Sequence, residues 1–549
     1  MVQVDRPDAL IVGAPVLTVD ACRRWADGIA LRDGRVAAVG TEAEVRELAG
    51  PGTRVIELSG GMVLPGFQDS HVHPLHGGLA RLRCDLHDVT GREGYLRTIQ
   101  AYADRNPQTE WIVGSGWSMA AFPGGTPERG ELDRVVADRP AFFVNQDGHG
   151  AWVNSRALEL AGVDAGTPDP RDGRIERDAS GGPAGTLHEG AMKLVGDLVP
   201  TPGPEELTRA LLDAQRTLHG LGITAWNDAW IEADDLQAYR SLAVSGQLTA
   251  RVVLSLLWDR HRGEEQIDDL LEARERGTVG RVRALDTKIF QDGVAENFTA
   301  ALLDPYLDAS GSPTGNAGLS MIDPESLRRY VTLLDAAGFQ VHFHAIGDRA
   351  VRECLDAVAG ANEANARRDA RHHIAHIQLI DPGDIPRFRA LGVVANGQPV
   401  WACNEPQMRD LTTPFLGTQR SQLQYPFASL RRAGAPIAFG SDWPVSTPDP
   451  LLEIEVAVTR IPPDERHLEP FIPNERVDLP TALDAFTIGA AYVNHLDNTT
   501  GSLEVGKLAD IAVLDRNLFD LDGANISDAD VVLTLVEGEP VYDERGLFA

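Results

Sequence analysis

His71 and His73 stand one residue apart in the run PGFQDSHVHP (65–74). On a β-strand, residues i and i+2 point to the same side, so both imidazoles could reach one centre. Imidazole suits zinc and other first-row metals. The same spacing recurs at His342 and His344 in FQVHFHAIGD (339–348). His344, nearer the strand end and the Gly347 turn, is the better ligand, and His342 reads equally well as a core histidine. In RHHIAHIQLI (371–380), alternation puts His372 and His376 on one face and His373 on the other; a hydrogen-bonded structural role is the alternative for each. Asp442 in GSDWPVSTPDP (440–450) could bind metal and accept a proton from water, or could simply cap the SDWP turn.

Lys288 is the odd member of this set. The chain has three lysines, Lys193, Lys288 and Lys507, among its 50 lysines and arginines. Codon bias in a GC-rich genome accounts for the depletion, but it makes a surviving lysine informative. An ammonium can lose its proton and become a nucleophile, which an arginine in practice does not. Beside metal cations its pKa falls through desolvation and charge repulsion. The neutral amine can add to carbon dioxide to give a carbamate, whose two oxygens can bridge two metals. The competing reading is an ordinary buried or snorkelling lysine.

These residues fall at the ends of short apolar runs: GFQDSHVH (66–73), ITAWNDA (223–229), RVVLSLL (251–257), RALDTKIFQDG (283–293), FQVHFHAIGD (339–348), HHIAHIQL (372–379), GVVANGQP (392–399) and PIAFGSDW (436–443). Stretches of helical period closed by Gly lie between them, such as PEELTRALLDAQRTLHGLG and PESLRRYVTLLDAAG. Eight strand–helix units predict an α/β fold, a (β/α)8 TIM barrel, whose catalytic groups come from the C-terminal ends of the strands. Roughly 150 residues separate the first and second strands, too many for one crossover. About 85–200 is therefore expected to be an inserted subdomain covering the site, with His149 facing it. Short apolar runs punctuated by Gly, Asp and Pro at both termini predict one small β-sandwich. The expected organisation is 1–65 and 495–549 for the sandwich and 66–460 for the barrel.

The 549 residues are 43% hydrophobic and 24% charged, an ordinary globular balance. The net charge of −31 repels phosphates and anionic lipids, which argues against nucleic-acid and membrane-surface binding. No run approaches the roughly 18 apolar residues of a membrane span. The apolar N-terminal stretch lacks a basic flank, a poor secretory signal. Cys22, Cys84, Cys354 and Cys403 are scattered, which excludes a disulfide framework and a zinc ribbon. The cytoplasm is the expected compartment. GxSxG, P-loop and Rossmann fingerprints are lacking. The expected partners are a small-molecule substrate and, at most, a second copy of the chain in a homodimer.

Taken together, the motifs resemble the amidohydrolase superfamily, in particular its branch of YtcJ-like hydrolases that includes N-substituted formamide deformylases. PGFQDSHVHP resembles the family's first-strand metal motif, GHGAWVNSRALELAG (148–162) its insert signature, and KIFQDGVAENFTAALLDPYLD (288–308) its modified-lysine strand. HFHAIGDRAV, RHHIAHIQLI, GSDWPVSTPDP and GSLEVGKLADIAVLD match later segments, so the resemblance spans nearly the whole chain. It implies a divalent metal, Zn2+ by type, as one or two ions. His71, His73 and Asp442 would hold the more buried ion. Lys288, as carbamate, would bridge to a second held by His344 and His376. Asp442 would also serve as the proton acceptor. His149, Trp117, Asp292, Glu296 and Gln398 lie in matching motifs as candidate substrate contacts. Ala375 departs from the pattern, since relatives often carry Glu there. The implied activity is hydrolysis of a non-peptide carbon–nitrogen bond in an N-acyl or N-formyl amine. A one-metal deaminase or esterase on the same barrel is the alternative, and a non-catalytic scaffold conflicts with the full ligand set.

Overall fold

The computed structural model describes residues 6–366 and 368–548. Residues 1–5 and 549, included in the expected terminal segments, lie outside the described residues.

Eight parallel strands form the central sheet: β1 (Phe67–Val72), β2 (Ile223–Ile231), β3 (Arg251–Leu257), β4 (Val282–Phe290), β5 (Gln340–Ala345), β6 (His373–His376), β7 (Val394–Gly397) and β8 (Ile437–Phe439). Each pairs with the next in chain order. The seam between β8 and β1 is joined just past the strand ends, where Asp442 N–H donates to His71 C=O (2.7 Å) and His73 N–H to Trp443 C=O (2.8 Å). The bonds that close this TIM barrel therefore run through His71, His73 and Asp442, three of the residues singled out by the sequence.

Alternation on β5 shows how the sequence builds the wall. Val341, Phe343 and Ala345 join the hydrophobic core between sheet and helices, whereas Gln340, His342 and His344 are buried polar residues of the other face. The helices Pro324–Ala336 and Asp348–Ala364 flank β5 and bury Leu327, Val331 and Leu334, and Val351, Leu355 and Val358. Each such side chain contributes about 1.5–3 kcal/mol by leaving water.

The two ends of the chain meet in one eight-stranded sheet of the β-sandwich. Its order is Glu539–Asp543, Val531–Val536, Ile511–Leu514, Met62–Pro65, Ala9–Leu17, Trp25–Arg32, Arg35–Gly40, with Arg54–Glu57 also pairing Ala9–Leu17. The period-2 pattern of its first strand feeds two clusters: Ala9 and Ile11 enter one, and Leu10 and Val12 the other with Val45. Buried Arg251 of β3 ties the sandwich to the barrel by pairing with Asp510 (2.5 Å) and Glu537 (2.6 Å).

Between β1 and β2 lies a six-stranded sheet, ordered Gly173–Arg177, Pro183–Glu189, Gly150–Val153, Ala141–Asn145, Ile112–Trp117, Cys84–Asp85. It has its own core around Trp117, Phe143 and Trp152. Among the described residues, no helix is long and apolar enough to cross a membrane.

Candidate metal centre

A cavity of about 950 Å³ opens at the C-terminal end of the barrel, lined by His71, His73, Lys288, His344, His376 and Asp442 among others. All six are buried. His71 Nε2 and His73 Nε2 approach one oxygen of Asp442, at 3.2 and 3.0 Å, and His376 Nδ1 lies 3.9 Å from its other oxygen. The rings of His344 and His376 stand 4.5 Å apart and those of His71 and His376 4.8 Å apart.

Local backbone decides which histidines gather here. His71 lies within β1, but His73 stands past its end, leading the helix Pro74–Leu82 with φ −125° and ψ 69°. The chain has bent by then, so both rings reach Asp442. Asp442 itself adopts φ 58°, a left-handed conformation that Asp tolerates better than most residues. Asp69 binds this turn to β1: its carboxylate accepts His71 N–H (3.0 Å), Ser441 N–H (3.1 Å) and Ser441 Oγ–H (2.6 Å). A side chain on Gly440 would meet the His71 nitrogen at 2.4 Å, so this approach requires glycine.

The expected parity on β6 is overturned. His372 faces away from the centre, its Nδ1 accepting Val341 N–H (3.0 Å) and its Nε2 lying 3.2 Å from Asp335. His373 turns toward His342, with ring centroids 3.9 Å apart. His376 nevertheless reaches the cavity because the strand stops there, with φ 74° at His376 and 43° at Ile377. Strict alternation fails where the backbone leaves the β region.

Burial dominates the electrostatics. It pushes the His71, His344 and His376 imidazoles well below their usual range and His73 down to about 3. It lowers Lys288 to about 7, against the pull of Asp442, and raises Asp442 to about 7, against the pull of Lys288. The imidazoles are thus neutral, with lone pairs available. His71 Nε2, His73 Nδ1, both ring nitrogens of His344 and His376 Nδ1 are buried without a hydrogen-bond partner. Buried polar atoms are nearly always satisfied. Orphaned imidazole nitrogens grouped with a carboxylate are a donor set that fits a divalent metal; His71, His73 and Asp442 form one compact group of potential ligands.

The chain matches the amidohydrolase family over residues 54–542. It belongs to that family. Protein LONG AFTER FAR-RED 3 of Arabidopsis thaliana is 33% identical over 97% of this chain and 91% of its own length. The N-substituted formamide deformylase of Arthrobacter pascens is 28% identical over 98% of this chain and 99% of its own. The crystal structure of an uncharacterized metal-dependent hydrolase from Pyrococcus furiosus superposes with a TM-score of 0.71 at 25% identity, covering 93% of this chain and 99% of that one. This amidohydrolase is a metal-dependent hydrolase acting on carbon–nitrogen bonds.

Of the five candidate substrate contacts, His149 lines the cavity, its ring 5.1 Å from that of His344. Glu189 holds it at 2.9 Å from Nδ1. Burial would lower His149, but Glu189 overcomes this and raises it to about 9. The other four do not line the cavity of this amidohydrolase. Trp117 is sealed in the insert core, its Nε1–H donating to Phe143 C=O (2.8 Å). Asp292 accepts the backbone N–H groups of Ala301, Ile346 and Gly347 (2.8–3.0 Å) and lies 3.4 Å from His344 Nδ1. Glu296 accepts from Thr412 (2.5 Å), and Gln398 accepts His376 N–H (2.9 Å). Asp292 and Gln398 thus brace the ligand strands from behind.

Sequence reasoning passed over Asp69, Glu189 and His76. Asp69 alone carried a signal, two residues before His71 in the first motif. Trp401 stacks on His376 (4.9 Å, 4°), and Trp230 packs against Phe290 (5.0 Å). The ring of His76 stacks on His73 at 5.7 Å.

Proposed function

We propose that the chain hydrolyses the carbon–nitrogen bond of a small N-acyl or N-formyl amine at a two-ion site. The observation that carries this reading is the group of orphaned imidazole nitrogens around Asp442 and Lys288 at the mouth of the barrel. His71, His73 and Asp442 would hold one ion, and His344 and His376 the other. Zn2+ suits this nitrogen and carboxylate set. The buried Lys288 amine, with its proton affinity lowered, is suited to add to carbon dioxide with loss of a proton; as a carbamate it would supply anionic oxygens to help hold both ions. When bound, a divalent metal supplies an acidified water and polarises the substrate carbonyl.

The chain's own groups do the rest. Asp442 accepts a proton from the attacking water and returns it to the leaving nitrogen. His149, kept in place by Glu189, faces the reacting region from the insert and offers its remaining N–H to a substrate acceptor. Trp230, Phe290 and Trp401 supply an apolar wall for the amine substituent. The similarity to an N-substituted formamide deformylase supports this substrate class. The four cysteines are free, which suits a reducing, cytoplasmic setting.

The test is metal analysis of the purified protein combined with a panel of N-formyl amines, N-acyl amines, cyclic amides and small esters. Two equivalents of zinc and release of a free amine with a carboxylic acid are expected. Release of ammonia with a single bound ion would replace this reading with a one-metal deaminase.

A further inference from the structure

We infer that His342 is a positioning residue: it sets the tautomer of His71 through a one-way hydrogen-bond relay that ends on Asp286 in the barrel interior. The inference rests on His71 being a metal ligand.

Beneath the cavity lies a second group of buried ligand-type residues, Asp286, His342 and His373. It has the composition of a metal site. However, neither nitrogen of His342 is free. Its Nε2 lies 2.7 Å from His71 Nδ1, and its Nδ1 lies 3.0 Å from Ser255 Oγ. Only Asp286 and His373 keep an open atom, Oδ1 and Nε2. Two donors with a fully committed third make a poor cation site, so the group calls for another explanation.

Direction supplies it. A single proton lies between His71 Nδ1 and His342 Nε2, since two protons would clash and none would leave two lone pairs opposed. If His71 presents its Nε2 lone pair toward Asp442, its proton must reside on Nδ1 and His342 Nε2 must accept it. His342 then carries its own proton on Nδ1 and donates to Ser255 Oγ. The Ser255 hydroxyl can in turn donate to Asn227 Oδ1 (2.8 Å) or Asp286 Oδ2 (3.2 Å). Asn227 Nδ2–H also donates to Asp286 Oδ2 (2.6 Å). Every link runs toward the Asp286 carboxylate, which only accepts when ionised. The reverse tautomer would place the His71 proton on Nε2, where a metal would have to be. Partners of this kind orient a ligating histidine and raise its basicity. Packing of His373 on the His342 ring at 3.9 Å, with Asn396 Nδ2 3.1 Å from His373 Nδ1, keeps the relay histidine from rotating away.

The experiment measures metal release from the zinc-loaded protein to a chelator in His342→Gln, His342→Leu, Ser255→Ala and Asp286→Asn, with thermal unfolding as a check on folding. Gln at position 342 keeps an oxygen able to accept the His71 N–H, and Leu does not. Release from His342→Leu should be about 10–100-fold faster than wild type, and His342→Gln should stay within about threefold. Ser255→Ala and Asp286→Asn should fall between, and Ser255→Ala carries the test if His342→Leu does not fold. Equal loss in the Gln and Leu variants would reduce His342 to packing and overturn the inference, as would unchanged release in Leu. If Asp286→Asn removes one whole equivalent of metal, the lower group is itself a metal site and the relay is wrong. His71→Ala separates this inference from the functional reading: full metal retention there would overturn the ligand assignment, whatever His342 does.

Discussion

Two strands of the barrel carry His-x-His, and they use it differently. On β1, both histidines serve the cavity. On β5, His344 faces the cavity while His342 sits a layer below, bonded to His71 and Ser255. The spacing is identical; the backbone is not. His342 and His344 both lie within a regular strand, where residues two apart are separated by roughly 6.6 Å along its axis. His73 lies just beyond the end of β1, at the residue that leads into the helix Pro74–Leu82, and its ring stands 5.3 Å from that of His71. In this barrel the repeated motif marks one site where the strand ends between its two members and two layers where the strand continues through both.

This contrast can be broken by mutation. The largest effects are expected in the upper layer. His71→Ala, His73→Ala and Asp442→Asn should each lower hydrolysis by roughly 10²–10⁴-fold while unfolding remains cooperative, since none of them opens the hydrophobic core. Near-normal turnover of metal-loaded Asp442→Asn would remove it as the proton acceptor.

Lys288→Ala should come next. It is expected to lose bound metal and most activity, with partial recovery in a short-chain carboxylic acid able to occupy the place of a carbamate. Full metal content and full activity would eliminate the bridge and leave a one-metal mechanism.

A smaller effect is expected where the insert meets the barrel. Because His149 is raised to about 9 by Glu189, above its ordinary value near 6.5, and Glu189 is itself lowered from 4.5 to about 2, their pairing stabilises fully between about pH 4.5 and 6.5 and is lost as pH rises through about 9. The melting temperature of wild type should exceed that of Glu189→Gln by a few degrees at pH 6.5, and the gap should close by pH 10. A gap that widens with pH would reverse the assigned charge state.

The smallest change should come from Trp117→Phe. Losing its hydrogen bond to Phe143 C=O should cost about 1 kcal/mol of stability, with turnover and KM unchanged. A shifted KM would return Trp117 to the substrate pocket.

The eight strands were legible because each is a short apolar run closed by turn residues and followed by a helical period. The metal-type residues were legible because their types are rare at such positions and they recur at strand ends. The substrate contacts were much less so. Four of the five candidates lie off the cavity, since a motif match says nothing about the direction of a side chain. Trp117 faces the insert core and Asp292 faces backbone amides.

By itself, then, the amino-acid order determined which elements form and which residues end them, because periodicity and turn chemistry are local. Only the tertiary structure decided which ligand-type residues share a centre. His376 reaches the cavity through a left-handed residue at its strand end, His372 faces away to Asp335, and His342 is drawn below to His71. Asp69 joins two segments more than 370 positions apart through Ser441. Such outcomes depend on backbone angles at strand ends and on partners brought close only when the barrel closes.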